Sequence, residues 1–404
     1  MLAFIYLAYS MMALLYETVP AFADTWVECL GDLGRYRMAI EEGDPRDREV
    51  WMHVSRFWYF KGTDRQPHVG RLYHHLAILT RPNILQQLFF YCKALAVAQP
   101  FLAARESILT LFDPTALKEQ DVEGNQSADA VFVLLHSICF TVVNQDAFAE
   151  KKDEYLDLLD RKITTSKLKF KVPGVYIAIC GVTSLFQYSL KDGRMKLATT
   201  AKENQKATAD AEAAYKATLQ NKSEENLLPP GPVIDNYDPK DALLTSPPEL
   251  DDSVSLDISL THAQELAFDF LSLFFERGND PAVQPHIHVW LVFLDYLKHY
   301  PEGMALVVKT FPWEQMADYG TTLLRKNKGN EAVLESIKDS EIFPTAQGAS
   351  RPLPEEYMMR GLEIARRYFP YGYFSGIVDN KKKKTDRTAV DGCSSRGKDT
   401  LADG

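Results

Sequence analysis

Cys29-Leu30-Gly31-Asp32-Leu33-Gly34-Arg35-Tyr36-Arg37 lies inside a helical pattern and yet carries two glycines. Each glycine within a helix costs about 1 kcal/mol relative to alanine. Something has to compensate, and close contact with another helix is the simplest candidate. Arg35 and Tyr36 follow the second glycine at once, a forked donor beside a phenol. That chemistry suits a phosphate or a carboxylate. A glycine-mediated helix crossing with a surface arginine would leave the same pattern, and the residues by themselves leave both readings open.

Working outward, the N-terminal side begins with Met1 to Tyr16, which contains no charge. It lacks the positive start and small-residue cleavage site of a signal peptide, and sixteen residues are short for a bilayer span. A buried helix running to about Glu17 is expected, with Pro20 as a break. Asp24 is placed to cap a second helix with apolar positions Trp26, Val27, Leu30 and Leu33. That helix stops at Glu41-Glu42-Gly43. Asp44-Pro45 then starts a third, with Val50, Trp51, Val54 and Trp58 on one face and Gly62 as its end. Pro67 opens a helix striped by Leu72, Leu76 and Leu79. Leu85, Leu88, Phe89, Cys92 and Leu95 stripe the next, which closes at Pro100. Phe101 to Phe112 makes one more short helix. Connections this short favour antiparallel neighbours. The pattern is one of stacked helical hairpins, each too thin to bury its own apolar face.

Beyond a polar loop at 115–128, Val131 to Val143 and Tyr155 to Leu159 continue helical, and Val172 to Tyr188 reads as a buried helix. The Lys-rich stretch Lys162 to Lys171 is either a wet helix face or turn, or a nucleic-acid contact. Lys191 to Gln220 has the composition of a solvated helix. Ser223 to Asp257 holds nine acidic residues against one lysine, with several prolines, and reads as a disordered acidic linker. Helices return at Thr261 to Arg277, His286 to Tyr300, Pro301 to Lys309, Trp313 to Lys326 and Arg351 to Phe369. The tail after Asn380 opens with Lys381 to Lys384, a nuclear localisation signal or a solvated run.

The formal charge is −10. Affinity for phosphates comes from counterion release at Lys and Arg, so nucleic acid would need a local basic patch. The five cysteines are widely spaced, without C-x-x-C, and four lie in apolar runs, which suits a reducing compartment. The sequence carries no G-x-S-x-G, P-loop, G-x-G-x-x-G or H-E-x-x-H. Adjacent His74 and His75 point about 100° apart on a helix, and His286 and His288 could chelate together only from a strand. A packing or surface role is therefore expected for each pair, with no catalytic residue, cofactor or metal.

Taken together, several segments resemble the ever-shorter-telomeres and SMG family. Cys29 to Arg37 is similar to its L-G-D-x-x-R-Y-R helix. Gly70-Arg71-Leu72-Tyr73-His74-His75-Leu76-Ala77-Ile78-Leu79 resembles G-x-x-x-N-Q-L-A-x-L, with His74-His75 in place of Asn-Gln. Leu88 to Leu95 is similar to the Y-Y-C-R-S-L helix, and Pro100 to Leu111 matches the fungal version. Leu353-Pro354-Glu355-Glu356 with Met359-Arg360-Gly361 looks like the L-P-E-D…L-R-G element.

The resemblance implies an all-α fold of tetratricopeptide-like and 14-3-3-like stacked hairpins. Its expected parts are a partial 14-3-3-like domain at 1–114, continuing hairpins at 115–222, a disordered acidic linker at 223–258, C-terminal hairpins at 259–374 and a disordered tail at 375–404. It implies a non-enzymatic adaptor of nonsense-mediated mRNA decay or telomere maintenance, in the cytoplasm, the nucleus or both. The implied partners are a phosphorylated protein, held at Arg35 and Tyr36, and RNA or telomeric single-stranded DNA. No small-molecule substrate and no membrane partner are expected. A fungal paralogue acting as a phosphate-independent scaffold is the alternative. Family members have further helices ahead of the L-G-D helix, one bringing a second basic phosphate ligand. With Met1 only about thirty residues before Gly31, the chain reads as N-terminally truncated, which puts half of such a cradle in question.

Overall fold

The computed structural model describes residues 1–41, 43–113, 127–200, 252–326, 352–369 and 373–375. The helices are α1 (Leu2–Thr18), α2 (Ala23–Ala39), α3 (Pro45–Arg65), α4 (Gly70–Ile78), α5 (Ile84–Ala96) and α6 (Ala104–Ile108). They continue as α7 (Ala128–Thr141), α8 (Phe148–Ser166), α9 (Lys171–Leu185), α10 (Asp252–Glu276), α11 (Gln284–Leu297), α12 (Pro301–Val307), α13 (Trp313–Lys326) and α14 (Pro354–Met359). No strand occurs among the described residues, only isolated bridges between Val69 and Gln99 and between Val97 and Leu362. The fold is all-α, as expected. The polar loop through 126, the acidic segment as far as 251, most of Lys191 to Gln220, and the tail beyond 375 lie outside the described residues.

Consecutive helices pack on one another from α1 through α5, and α7 packs on α8. Short connections leave a following helix little choice but to fold back on the one before. The centre of the molecule is α9. Every residue from Ile177 to Leu185 is buried, and the helix packs against α5, α10 and α11. This bears out the reading of that apolar run as a core helix. The stretch 145–185 is long and apolar enough to cross a membrane, and 67% of its most apolar window is buried inside the protein. Cys92, Cys139 and Cys180 are buried and free, and Cys29 is partly exposed.

Several local expectations need correction. The α1 helix is buried on one side only. Ile5 is inside, while Phe4, Leu7, Met11 and Leu14 are largely exposed. Its inner side is aromatic, with Tyr6 and Tyr9 edge-on to Trp51 and Tyr16 edge-on to Trp58. Hence Trp51 and Trp58 face α1, and Val50 is exposed. The fully buried face of α3 is instead Ser55, Tyr59, Gly62 and Thr63. Small residues there admit close backbone contact, which outweighs raw hydrophobicity in choosing the inner face. Gly62 consequently sits within α3, which runs on to Arg65.

Asp24 is not the cap of α2 but lies in its first turn, paired with Arg65. The segment 101–112 yields only the five-residue α6. The α10 helix starts at Asp252, inside the expected linker, because Asp257 pairs with Arg194 and the Leu256 carbonyl accepts from Gln187. Lys167–Phe170 is a 3-10 turn, in keeping with a turn for the Lys-rich stretch.

The expected last helix breaks after Met359. Arg360 leaves helical geometry with ψ 129° and Gly361 takes φ +87°, so the chain bends back over the end of α5 and the turn after α3. There the Ala98 amide donates to the Gly361 carbonyl at 3.1 Å, and Lys93 donates to the Met358 carbonyl at 2.7 Å. The Arg360 guanidinium reaches the Asp64 carbonyl at 2.7 Å.

Candidate functional site

The two glycines of α2 do face another helix. A Cβ on Gly31 would stand 2.6 Å from Tyr59 Cε1, and one on Gly34 would stand 3.1 Å from the Ser55 backbone nitrogen. The crossing is locked by Ser55, whose hydroxyl donates to the Gly31 carbonyl at 2.7 Å. The intimate approach brings the fully buried Tyr59 across to the polar side of α2.

At that crossing Tyr59 joins Asp32 and Arg35 into one network. The Tyr59 hydroxyl donates to Asp32 Oδ1 at 2.6 Å and accepts from Arg35 Nε at 3.3 Å. Arg35 Nη2 donates to the same Asp32 oxygen at 3.2 Å. The guanidinium carbon lies 4.7 Å from the centre of the Tyr36 ring, itself about half exposed. Arg35 is therefore not a free surface arginine. Burial opposes its charge, but Tyr59 and Asp32 outweigh burial and push its pKa up. Burial, with Asp32 adding to it, pushes the Tyr59 phenol well above its ordinary value, so it stays protonated and can donate.

The second wall comes from α4. His75 stacks on the Tyr59 ring at 4.9 Å, with Nε2 4.0 Å from Asp32. Burial drives its pKa down to about 3, against the pull of Asp32, so the ring is neutral at physiological pH. Its Nδ1 is buried and has no hydrogen-bond partner among the described residues. His74 turns away to the Ser107 hydroxyl at 2.9 Å, and burial lowers it to about 4. The two imidazoles therefore serve different neighbours. Arg71, at the start of α4, pairs with Glu28 of α2 at 2.6 Å. His286 is also committed. One ring nitrogen meets the Gly174 carbonyl at 2.8 Å, the other accepts from Trp290 at 3.0 Å, and the ring stacks on Phe274. His288 bonds Tyr368 at 3.3 Å.

Of the two residues singled out in the sequence, the structure puts both on the polar side of the α2–α3 crossing. Sequence reasoning missed Asp32, Tyr59, His75 and Arg71 as their surroundings. The spacing of Ser55, Tyr59 and Gly62 on α3 was the available signal, since a small residue on either side of an aromatic marks a face built for close contact. Arg35 spends one Nε–H and one Nη2–H on these neighbours. The rest of its five donors make no hydrogen bond among the described residues, and the Tyr36 ring lies beside them.

Residues 55–209 match the family model described as Est1 DNA/RNA binding domain. The chain is similar to the Est1 and SMG proteins. It is 32% identical over 104 residues to the telomerase-binding protein EST1A of Danio rerio, which is 25% of this chain and 6% of that protein. It is 34% identical over 107 residues to the nonsense-mediated mRNA decay factor SMG7 of Arabidopsis thaliana, which is 26% of this chain and 9% of that protein. The chain thus spans under a tenth of the length of either curated relative. The matched family segment starts within α3. It takes in Tyr59, Arg71 and His75 and leaves out Arg35 and Tyr36.

Proposed function

We propose that this chain is a non-enzymatic adaptor that holds a phosphorylated segment of a protein partner on the α2–α4 face, in the nucleus or the cytoplasm. The observation that supports it most is Arg35, whose guanidinium is held by Tyr59 and Asp32, lies beside the Tyr36 ring and keeps about a quarter of its side chain exposed. A fixed fork binds phosphate with little ordering cost. In the free protein Asp32 holds part of that fork. A phosphate carrying about −1.5 to −2 charge competes with the single negative charge of Asp32.

The test is a titration of the chain against an array of phosphoserine peptides and their unphosphorylated twins. Phosphate-dependent binding that Arg35→Glu abolishes, and that Asp32→Asn strengthens by removing the competing carboxylate, is expected. Circular dichroism confirms that both variants fold. Equal binding of the two peptide sets would leave the phosphate-independent scaffold as the better account.

The match to a DNA/RNA binding domain favours a second reading, in which the same adaptor also engages nucleic acid. Steep salt dependence of oligonucleotide binding is the expected sign.

A further inference from the structure

We propose that the outward face of α3, formed by Arg56, Phe57, Phe60 and Lys61 with Tyr16 of α1, is a stacking platform for single-stranded nucleic acid. This rests on the second reading above and assigns it a surface.

The rings are available. Phe57 is 57% and Phe60 39% exposed, an expensive display of apolar area unless something flat covers it. Cations interleave them. Arg56 sits over the Phe60 ring at 5.4 Å. Lys61 Nζ lies 4.5 Å from the Tyr16 ring, 5.2 Å from Trp58 and 5.7 Å from Phe57. Phe57 is three residues from Phe60 and four from Lys61, so the three share one helix face. Packing on the inner edge holds the rings in place, with Phe60 edge-on to Phe90 of α5 and Phe57 edge-on to Trp58.

The charges are available too. Arg35, Arg37, Arg65, Arg71, Lys152, Lys162 and Arg277 each lie against a carboxylate. Arg56 and Lys61 have no carboxylate within ion-pair distance among the described residues. In a chain of net charge −10, α3 carries five arginines and lysines against three acidic residues. With Arg65 paired to Asp24, Arg56 and Lys61 are the α3 cations on this face that can meet phosphates.

Aromatic rings interleaved with cations favour single strands. Unpaired bases stack on the rings while Arg56 and Lys61 follow the phosphates. A duplex hides its base faces and would meet only the charges. Stacking tolerates any base, so little sequence preference is expected.

The experiment is fluorescence anisotropy of the full chain with labelled twelve-nucleotide oligo(U), oligo(dT) and a mixed-sequence duplex. The wild type is expected to bind at least one single strand at least tenfold more tightly than the duplex. Phe57→Ala/Phe60→Ala should weaken single-strand binding by about tenfold or more. Arg56→Gln/Lys61→Gln should lower the slope of log K against log salt by about 1.4. If the wild type binds single strands and both double variants bind as tightly, the platform is wrong while the nucleic-acid reading stands. If the wild type binds neither strand, both fall.

Discussion

Gly31→Ala puts one methyl group where α2 meets α3. On an open helix this change adds about 1 kcal/mol of helix propensity. Here the new Cβ would lie 2.6 Å from Tyr59 Cε1 and 2.8 Å from Cδ1. The ring cannot slide away cheaply. Its hydroxyl is tied to Asp32 at 2.6 Å, its face rests on His75, and the residue is fully buried. Overpacking of this kind costs about 1–3 kcal/mol. Displacing the ring also strains a hydrogen bond to a carboxylate, worth about 1.5–3 kcal/mol. Set against the propensity gain, the net is a loss of about 2 kcal/mol. Urea denaturation followed by far-UV circular dichroism reads it as a lower midpoint with an unchanged slope. In a Tyr59→Leu background the obstructing ring is gone, and the same Gly31→Ala should be neutral or stabilising. A Gly31→Ala protein more stable than the wild type would refute the crossing as described.

Gly361→Ala should release the C-terminal segment, because φ is +87° and the added Cβ would fall 1.8 Å from the Pro67 carbonyl oxygen. A loss of about 2–4 kcal/mol and faster hydrogen exchange at Ala98 and Leu362 are expected. Burial lowers Lys93 to about 7 from its ordinary 10.5. Between those values the unfolded chain keeps a proton that the folded chain gives up, so stability rises with pH. The buried Cys139 and Cys180 thiols, raised by burial, act in the opposite sense, so the expected sign of Lys93 is a urea midpoint that rises from pH 7 to 9.5 in the wild type relative to Lys93→Met. His75, His136 and His286 are held neutral by burial, each at about 3. The unfolded chain takes up protons near 6.5, so stability falls as pH drops below that value. His286→Gln should soften the fall measured between pH 7 and 5.

The helical plan was legible because prolines, glycines and periodic apolar positions act locally. Gly31 and Gly34 even announced a close crossing before the partner was known. What closes on them was not legible. Tyr59 reaches Asp32 across 27 residues, and no local pattern sets such a distance. The inner face of α3 was misread for a physical reason. Trp51 and Trp58 look like core, yet Ser55 and Gly62 allow the closer approach, and the tryptophans were left for α1 to cover. The same limit applies at the other end. Gly361 in the L-R-G element fitted a helix by composition, but its positive φ depends on Pro67, far away in sequence. Arg35 was found by its neighbours in the chain, whereas its tether to Asp32 and Tyr59 emerged only in three dimensions.

The bond from Lys93 to Met358 spans 265 positions of the chain. During synthesis, at about 5–20 residues per second, the backbone edge at 97–98 must therefore wait many seconds for its mate to leave the ribosome. Until then Lys93 has no carbonyl to meet, and the top of α5 stands open to chaperones. Nascent chains stalled before residue 353 should therefore display an uncovered end of α5 and an unpaired edge at 97–98 that the finished protein hides.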